Sequence, residues 1–202
     1  MLNYAYIDTG AMYRSVTYYF LKYNISINDA SAIHNALKNI EIHFERVNGE
    51  NHVFLNGQDI ETEIRGLEIS NWVSEVSAIS EVRKEMVKLQ QAMGHRKGIV
   101  MDGRDIGTVV FPNAELKIFL NAQKEIRIER RYMELINKGL DISRAEIEKN
   151  LNHRDHIDST RADSPLRKAA DAIEIDNSFL SENDQLEMAL ELANQHILVT
   201  AQ

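Results

Sequence analysis

The sequence predicts an α/β fold in which a parallel sheet is flanked by helices and carries a small antiparallel insertion. Short apolar segments alternate with helical patterns through residues 98–197, which is typical of a parallel sheet covered on both faces. Two apolar segments, residues 5–7 and 98–101, each lead directly into a polar loop that contains glycine. Between them, residues 40–64 change to apolar stretches with Asn-Gly turns, which indicates antiparallel hairpins.

The first half of the chain is predicted to contain a strand, a helix, the insertion and two further helices. A strand at residues 4–7 precedes a helix that is capped by Asp8 or Thr9, because short polar side chains satisfy the free amides of a first helical turn. Two more helices are expected at residues 67–78 and 81–93. The apolar face of the first helix contains Met12, Val16 and Phe20.

The second half of the chain alternates between predicted strands and predicted helices. Gly139 is expected to end a charged helix, since glycine adopts the left-handed conformation of a helix C-terminus. Ser143 and Glu146 have the spacing of a capping box and begin a second charged helix. The expected strands are residues 98–101, 116–120 and 172–175, and the other helices are residues 124–137 and 182–197.

The composition is that of a globular protein with one domain, or with one domain and an insertion, at 202 residues and 44% hydrophobic content. A net charge of -8 disfavours nonspecific nucleic-acid binding, although a few converging arginines can still hold a mononucleotide. The absence of cysteine excludes disulfides and thiolate chemistry and fits a reducing cytoplasm. No apolar run approaches the roughly 20 residues that span a bilayer, and no signal-peptide pattern is present, so a cytoplasmic protein is expected.

The segment Asp-Gly-Arg-Asp-Ile-Gly-Thr at residues 102–108 places three ionisable side chains in one tight loop after an apolar strand. Asp102 ends that strand. In the Walker-B arrangement a carboxylate likewise lies at the end of a strand, near magnesium and the nucleotide phosphates. An aspartate after an apolar run is common, so Asp102 alone is a weak indicator. Three charges in one glycine-containing loop are not expected in a core, and a solvated rim is the alternative to a binding site.

A second segment, Asp-Thr-Gly-Ala-Met-Tyr-Arg at residues 8–14, begins the first predicted helix. Taken alone, it is explained by a well-capped helix. Arg14 lies one turn inside the helix and would face the same crevice as the cap. Because ligands of open parallel sheets bind at the carboxyl ends of the strands, we expect this segment and residues 102–108 to lie together.

Together the two segments resemble the nucleoside monophosphate kinase family, and its cytidylate kinase branch in particular. The run from Asp102 to Pro112 carries the closest likeness, and the resemblance extends over essentially the whole chain. It implies a P-loop kinase fold with a core domain at residues 1–39 and 79–202. It also implies an inserted monophosphate-binding domain at residues 40–78, of the long bacterial type, and a helical lid at about residues 124–161.

The resemblance implies a phosphotransferase of pyrimidine nucleotide metabolism. It implies transfer of the γ-phosphate of ATP to CMP or dCMP, with Mg²⁺ as the cofactor and CDP or dCDP as the product. The expected partners are these small nucleotides, without nucleic acid or membrane, and a monomer is expected. The histidines show no metal-ligand spacing, so no metal site built from protein ligands is expected. A general-base histidine is not needed either, because this phosphoryl transfer works by positioning and charge stabilisation.

The resemblance also assigns roles to individual residues. Asp105 would accept a hydrogen bond from the cytosine amino group, where uracil presents a carbonyl that a carboxylate repels. For Ser74 and Arg83 the alternative is a solvated helix face, and for the arginines between residues 127 and 161 it is an exposed helix with ion pairs. The phosphate ligands are Arg14, Arg104 and Arg161; the cytosine ligands are Thr9, Ser74, Arg83 and Asp105; the ribose ligands are Arg154 and Asp158. The residues with catalytic roles are Asp102, Arg104 and Arg161, and the ATP-side lid residues are Arg130 and Arg131.

One expected part of such a kinase is missing, because the sequence contains no G-x-x-x-x-G-K-[ST] phosphate-binding loop. In the family's fold, the strand before that loop lies between those matching residues 98–101 and 116–120. We expect an N-terminally shortened kinase, since the charged residues of the acceptor site are retained. The alternatives are a variant that needs a complementing segment or a non-catalytic CMP-binding module and, more remotely, an acidic helical interaction protein.

Overall fold

The protein is described here by a computed structural model that covers residues 2–200. Its strands are β1 (Ala5–Asp8), β2 (Ile42–Val47), β3 (Glu50–Leu55), β4 (Gln58–Asp59), β5 (Ile99–Asp102), β6 (Ile118–Asn121) and β7 (Ile173–Asp176). Its α-helices are α1 (Thr9–Lys22), α2 (Ala30–Leu37), α3 (Leu67–Ala78), α4 (Ser80–Gly94), α5 (Lys124–Asn137), α6 (Arg144–Thr160) and α7 (Glu182–Thr200). A 3₁₀ turn, Glu63–Arg65, precedes α3, and a π-helical turn, Ile106–Val110, follows β5.

Four strands form parallel pairs, which confirms the predicted α/β class. β1 pairs with β5, and β6 pairs with β7. Within residues 2–200 these are two separate two-stranded sheets, and β5 and β6 share no backbone hydrogen bonds. The register of β1 and β5 sets Asp8 directly beside Asp102 at the carboxyl ends of both strands. The two segments singled out in the sequence therefore meet at one edge, as expected.

The insertion is a three-stranded antiparallel sheet with the order β2-β3-β4. Asn48 and Gly49 join β2 to β3 with φ angles of 52° and 90°, the left-handed pair that a tight hairpin turn requires. Asn56 and Gly57 repeat this geometry between β3 and β4, at 50° and 78°. Both predicted turns are confirmed, whereas the short strand β4 and the helix α2 were not predicted.

The main hydrophobic core lies around α1. Its predicted apolar face is buried, with Met12 and Val16 fully inaccessible and Phe20 nearly so. The insertion contributes Val53 and Ile60, also fully buried, to the same core. Burial of each such side chain stabilises the fold by about 1.5–3 kcal/mol. The insertion is thus packed against α1 rather than separated from it.

Local capping fixes where the helices begin and end near the carboxyl ends of the strands. Asp8 caps α1 by accepting a hydrogen bond from the amide of Ala11 at 2.8 Å. The predicted capping box between Ser143 and Glu146 is present at the start of α6. Gly139 follows α5 with a φ of 75°, as predicted for a helix end. None of the helices within residues 2–200 has the length and apolarity that crossing a membrane requires.

Candidate functional site

A cavity of about 280 Å³ lies at the carboxyl ends of β1 and β5, where α1, α3, α4 and α6 converge. Six arginines and four aspartates line it, which leaves a formal charge of +2 and suits a dianionic ligand. It gathers most of the residues that the sequence singled out. These are Thr9, Arg14, Ser74, Arg83, Asp102, Arg104, Asp105, Arg154, Asp158 and Arg161.

The loop after β5 is held against the start of α1. The hydroxyl of Thr9 donates to the backbone oxygen of Asp102 at 2.5 Å, which ties the two segments together. Gly103 lies so close to Thr9 and Ile106 that no Cβ would fit at that position. The π-helical turn then begins with three amides, those of Thr108, Val109 and Val110, donating to the backbone oxygen of Asp105 at 3.3, 2.8 and 3.3 Å. This backbone path directs Asp105 into the cavity, and π-turns are frequent at functional sites.

Asp105 forms a buried ion pair with Arg83 of α4, and only 3% and 2% of the two side chains are exposed. Arg83 is held from two further directions. It donates to the backbone oxygen of Ser77 at 3.1 Å, and its guanidinium lies 5.3 Å from the ring centroid of Tyr13. Burial raises the pKa of Tyr13 to about 12, so its ring stays neutral beneath the guanidinium. The Asp105 carboxylate is therefore fixed in position and able to accept a hydrogen bond from a ligand.

Asp158 is a buried carboxylate that holds three arginines. It accepts from Arg161 at 2.7 Å and from Arg104 at 3.1 Å, and Arg154 lies 3.7 Å away. Arg161 also donates twice to the oxygen of Ser164, at 3.0 and 2.9 Å. Burial and the neighbouring Arg104 charge lower the pKa of Arg154 to about 10, so Arg154 still carries its charge at neutral pH. Asp158 thus joins Arg104, which is distant in sequence, to its neighbours Arg154 and Arg161 at one wall of the cavity.

Two charged cavity residues were missed as site residues by the sequence analysis, Asp8 and Arg65. Asp8 caps α1, and it also accepts from Arg14 at 2.8 Å and from Arg65 at 3.2 Å. The motif at residues 8–14 identified Asp8 only as a cap. Arg65 had no local signal, because its four-residue spacing from Glu61 looks like an ordinary exposed ion pair.

Asp102 presents a carboxylate at the mouth of the cavity. Partial burial and the neighbouring Asp8 charge raise its pKa, and the hydroxyl of Tyr6 donates to it at 3.2 Å. A divalent cation beside it would relieve this repulsion, and Mg²⁺ typically binds one or two carboxylates together with substrate phosphates. Asp102 therefore fits a Mg²⁺-nucleotide complex. In the described residues, no group of three or more histidines and carboxylates is arranged to hold a metal alone.

Arg130 and Arg131, the predicted lid residues, are not among the residues that line this cavity. Arg130 donates to the backbone oxygen of Asn177 at 2.6 Å, which anchors α5 to the end of β7. Arg131 pairs with Glu134 at 2.7 Å and reaches Ser70 of α3 at 3.5 Å. A role of the two arginines toward ATP stays a prediction.

Comparisons with known proteins agree with this geometry. A family model described as cytidylate kinase matches residues 1–195. The chain is 48% identical over 203 residues to a cytidylate kinase of Flavobacterium johnsoniae, covering 98% of this chain and 88% of that protein. It is 49% identical over 194 residues to a cytidylate kinase of Cytophaga hutchinsonii, covering 95% and 83% respectively. It is 47% identical over 180 residues to a cytidylate kinase of Bacillus cereus, covering 89% and 80%.

Proposed function

The chain belongs to the cytidylate kinase family, and we propose that it transfers the γ-phosphate of ATP to CMP or dCMP, forming CDP or dCDP. The observation that carries the proposal is the cavity in which a buried, arginine-held Asp105 lies near several cations. One carboxylate acceptor for a base and a surplus of positive charge for a phosphate match a pyrimidine monophosphate. As parts of the proposal, residues 1–39 and 79–202 form the core, residues 40–78 the insertion and residues 124–161 the lid.

Recognition of the base depends on Asp105 and Arg83. Cytosine N4 is a hydrogen-bond donor, which the Asp105 carboxylate accepts, whereas uracil presents an oxygen that the carboxylate repels. The guanidinium of Arg83 offers further donors to the ring oxygen and N3, and its buried pair with Asp105 keeps both groups in place. Ser74 and Thr9 line the same cavity and supply hydroxyls that donate or accept.

The phosphate and the ribose would be bound by the cations around Asp158. Arg14, Arg104 and Arg161 are the proposed phosphate ligands, since planar guanidinium groups bind phosphate oxygens in pairs. Arg154 and Asp158 are the proposed ribose ligands. Asp158 already accepts from two arginines, but a carboxylate has about four lone-pair sites, so acceptors remain for ribose hydroxyls.

Phosphoryl transfer here requires positioning and charge compensation more than acid–base chemistry. An oxygen of the CMP phosphate attacks the γ-phosphorus of ATP, and the bond to the β-phosphate oxygen breaks. Arg104 and Arg161 would stabilise the charge that spreads over the transferred group, and Arg130 and Arg131 would act from the lid. Mg²⁺, when bound at Asp102, would neutralise charge on the phosphates of ATP.

The test combines binding with turnover. CMP is titrated calorimetrically into the 202-residue chain, and ADP release is measured with ATP, Mg²⁺ and CMP. The same assay is run on a version with a family-type strand and phosphate loop added before residue 1, because the sequence contains no such loop. CMP binding with turnover in the extended version supports the proposal. Binding without turnover in either folded version would favour a non-catalytic CMP-binding module, and no binding would refute both.

A further inference from the structure

Arg65 is the cavity-lining arginine that comes from the insertion, where it lies in the 3₁₀ turn before α3. The other five cavity arginines come from α1, α4, α6, the loop after β5 and the end of α6. Ile60 and Ile64, which are fully buried in the hydrophobic core, anchor the 3₁₀ turn. The Arg65 side chain remains 41% exposed, against 17% for Arg14 beside it. The backbone at Arg65 is therefore fixed by the core, while its guanidinium group lies at the open side of the cavity.

The partners of Arg65 orient its guanidinium toward the phosphate subsite. Glu61 accepts from the Nε of Arg65 at 2.7 Å, and the same Glu61 oxygen lies 2.5 Å from Nη2, which fixes that edge of the fork. Nη2 also donates to Oδ2 of Asp8, at the longer distance of 3.2 Å. Arg14 donates to the same Asp8 oxygen at the shorter distance of 2.8 Å. Two guanidinium groups, from α1 and from the insertion, therefore meet at one point of the cavity.

The shared acceptor is the weaker partner for Arg65. Asp8 also accepts from the Ala11 amide, so a single carboxylate serves three donors. A phosphate dianion placed between Arg14 and Arg65 offers more acceptor oxygens and twice the charge, and guanidinium forks match its geometry. Burial lowers the pKa of Arg14, and so does the Arg65 charge, an unfavourable proximity that an anion would relieve.

We infer that Arg65 is a further substrate-binding residue, which exchanges Asp8 for the phosphate of the bound monophosphate. This inference rests on the proposed function. The phosphate would then bridge α1 and the insertion, so that the insertion binds the phosphate as well as the base. Arg65 and Arg14 would act as a pair at this end of the phosphate.

The experiment compares CMP with cytidine, which has the same base and ribose but no phosphate. Arg65→Met keeps the length of the side chain and removes the charge, whereas Arg65→Lys keeps the charge without the fork. Arg46→Met is the matched control, because Arg46 also belongs to the insertion but donates only to the Gly49 oxygen, at 3.3 Å. Affinities are measured by calorimetry for CMP and by chemical-shift titration for both ligands, with thermal melts to confirm folding.

We expect Arg65→Met to weaken CMP binding at least tenfold and cytidine binding less than twofold. Arg65→Lys should weaken CMP binding about threefold or more, again without affecting cytidine, and it carries the test if the methionine variant does not fold. Arg46→Met should leave both affinities within twofold of the unmodified protein. Equal losses of affinity for CMP and for cytidine would mean that Arg65 only holds Asp8 in position. An unchanged CMP affinity would exclude a contact between Arg65 and the phosphate. Failure of the unmodified chain to bind CMP would instead refute the proposed function itself.

Discussion

The substitution Asp105→Asn tests the proposed basis of base selectivity. It preserves the size of the side chain and removes the negative charge that faces the base. A carboxylate can only accept from cytosine N4, whereas the amide can also donate to the O4 of uracil. We therefore expect the preference for CMP over UMP to fall.

The magnitude follows from the buried position of Asp105. A hydrogen bond to a charged group contributes about 1.5–3 kcal/mol, so CMP affinity should fall about 10–150-fold while UMP affinity is kept or gains. The same change leaves Arg83, only 2% exposed, without its counter-charge. Breaking a buried pair costs about 3–5 kcal/mol, part of which is offset because the introduced amide oxygen can still accept from Arg83. The free energy of unfolding should therefore also decrease.

The assay is a pair of calorimetric titrations, with CMP and with UMP, at a temperature where denaturant unfolding shows the variant to be folded. Asp155→Asn is the matched control, because Asp155 forms an Arg–Asp pair with Arg127 through two hydrogen bonds of 2.8 Å. That pair is about 40% exposed and should contribute at most about 1 kcal/mol. The control should leave the ratio of CMP to UMP affinities unchanged.

One result would refute the reasoning about Asp105. A folded Asp105→Asn protein whose ratio of CMP to UMP affinities stays within twofold of the original would show that the carboxylate does not read the base. A ratio that falls at least tenfold, with the control unaffected, would support the assigned role.

Three further changes test the structure around the site. Gly103→Ala would drive a Cβ into Thr9, so we expect a loss of about 1–3 kcal/mol in unfolding free energy, measured by denaturant titration, and weaker CMP binding. An unchanged unfolding free energy would contradict the close approach of this loop to Thr9. Ser143→Ala removes the capping box of α6 and should lower the unfolding free energy by about 0.5–2 kcal/mol, measured by denaturant titration, while CMP affinity is unchanged. The raised pKa of Asp102 implies stability that is present below its ordinary pKa of 3.8 and is lost as pH rises through the folded value. The melting temperature of the Asp102→Asn variant should therefore exceed that of the original protein by an amount that grows as pH rises from about 4 toward 7. A difference in melting temperature that does not vary with pH would contradict this account.

Much of the fold could be predicted because it depends on local pattern. Apolar spacing identified α1 and its buried face, and α3 and α5 begin and end at the predicted residues. The turn residues Asn48 and Gly49 determine a hairpin, since few other residues accept their left-handed backbone. α2 and β4 were missed because an eight-residue helix and a two-residue strand carry too little periodicity.

The sequence by itself determined which chemistry is available at the ends of β1 and β5, because motif residues next to a strand end are brought together by the parallel sheet. Only the tertiary structure decided how those charges are paired. It set Asp158 against Arg104, joined Arg83 to Asp105, and turned Arg130 toward Asn177. It also brought Arg65 to Asp8 across 57 positions of the chain. Such pairs depend on packing between helices, strands and loops that are distant in sequence, and no periodicity within a single segment encodes them.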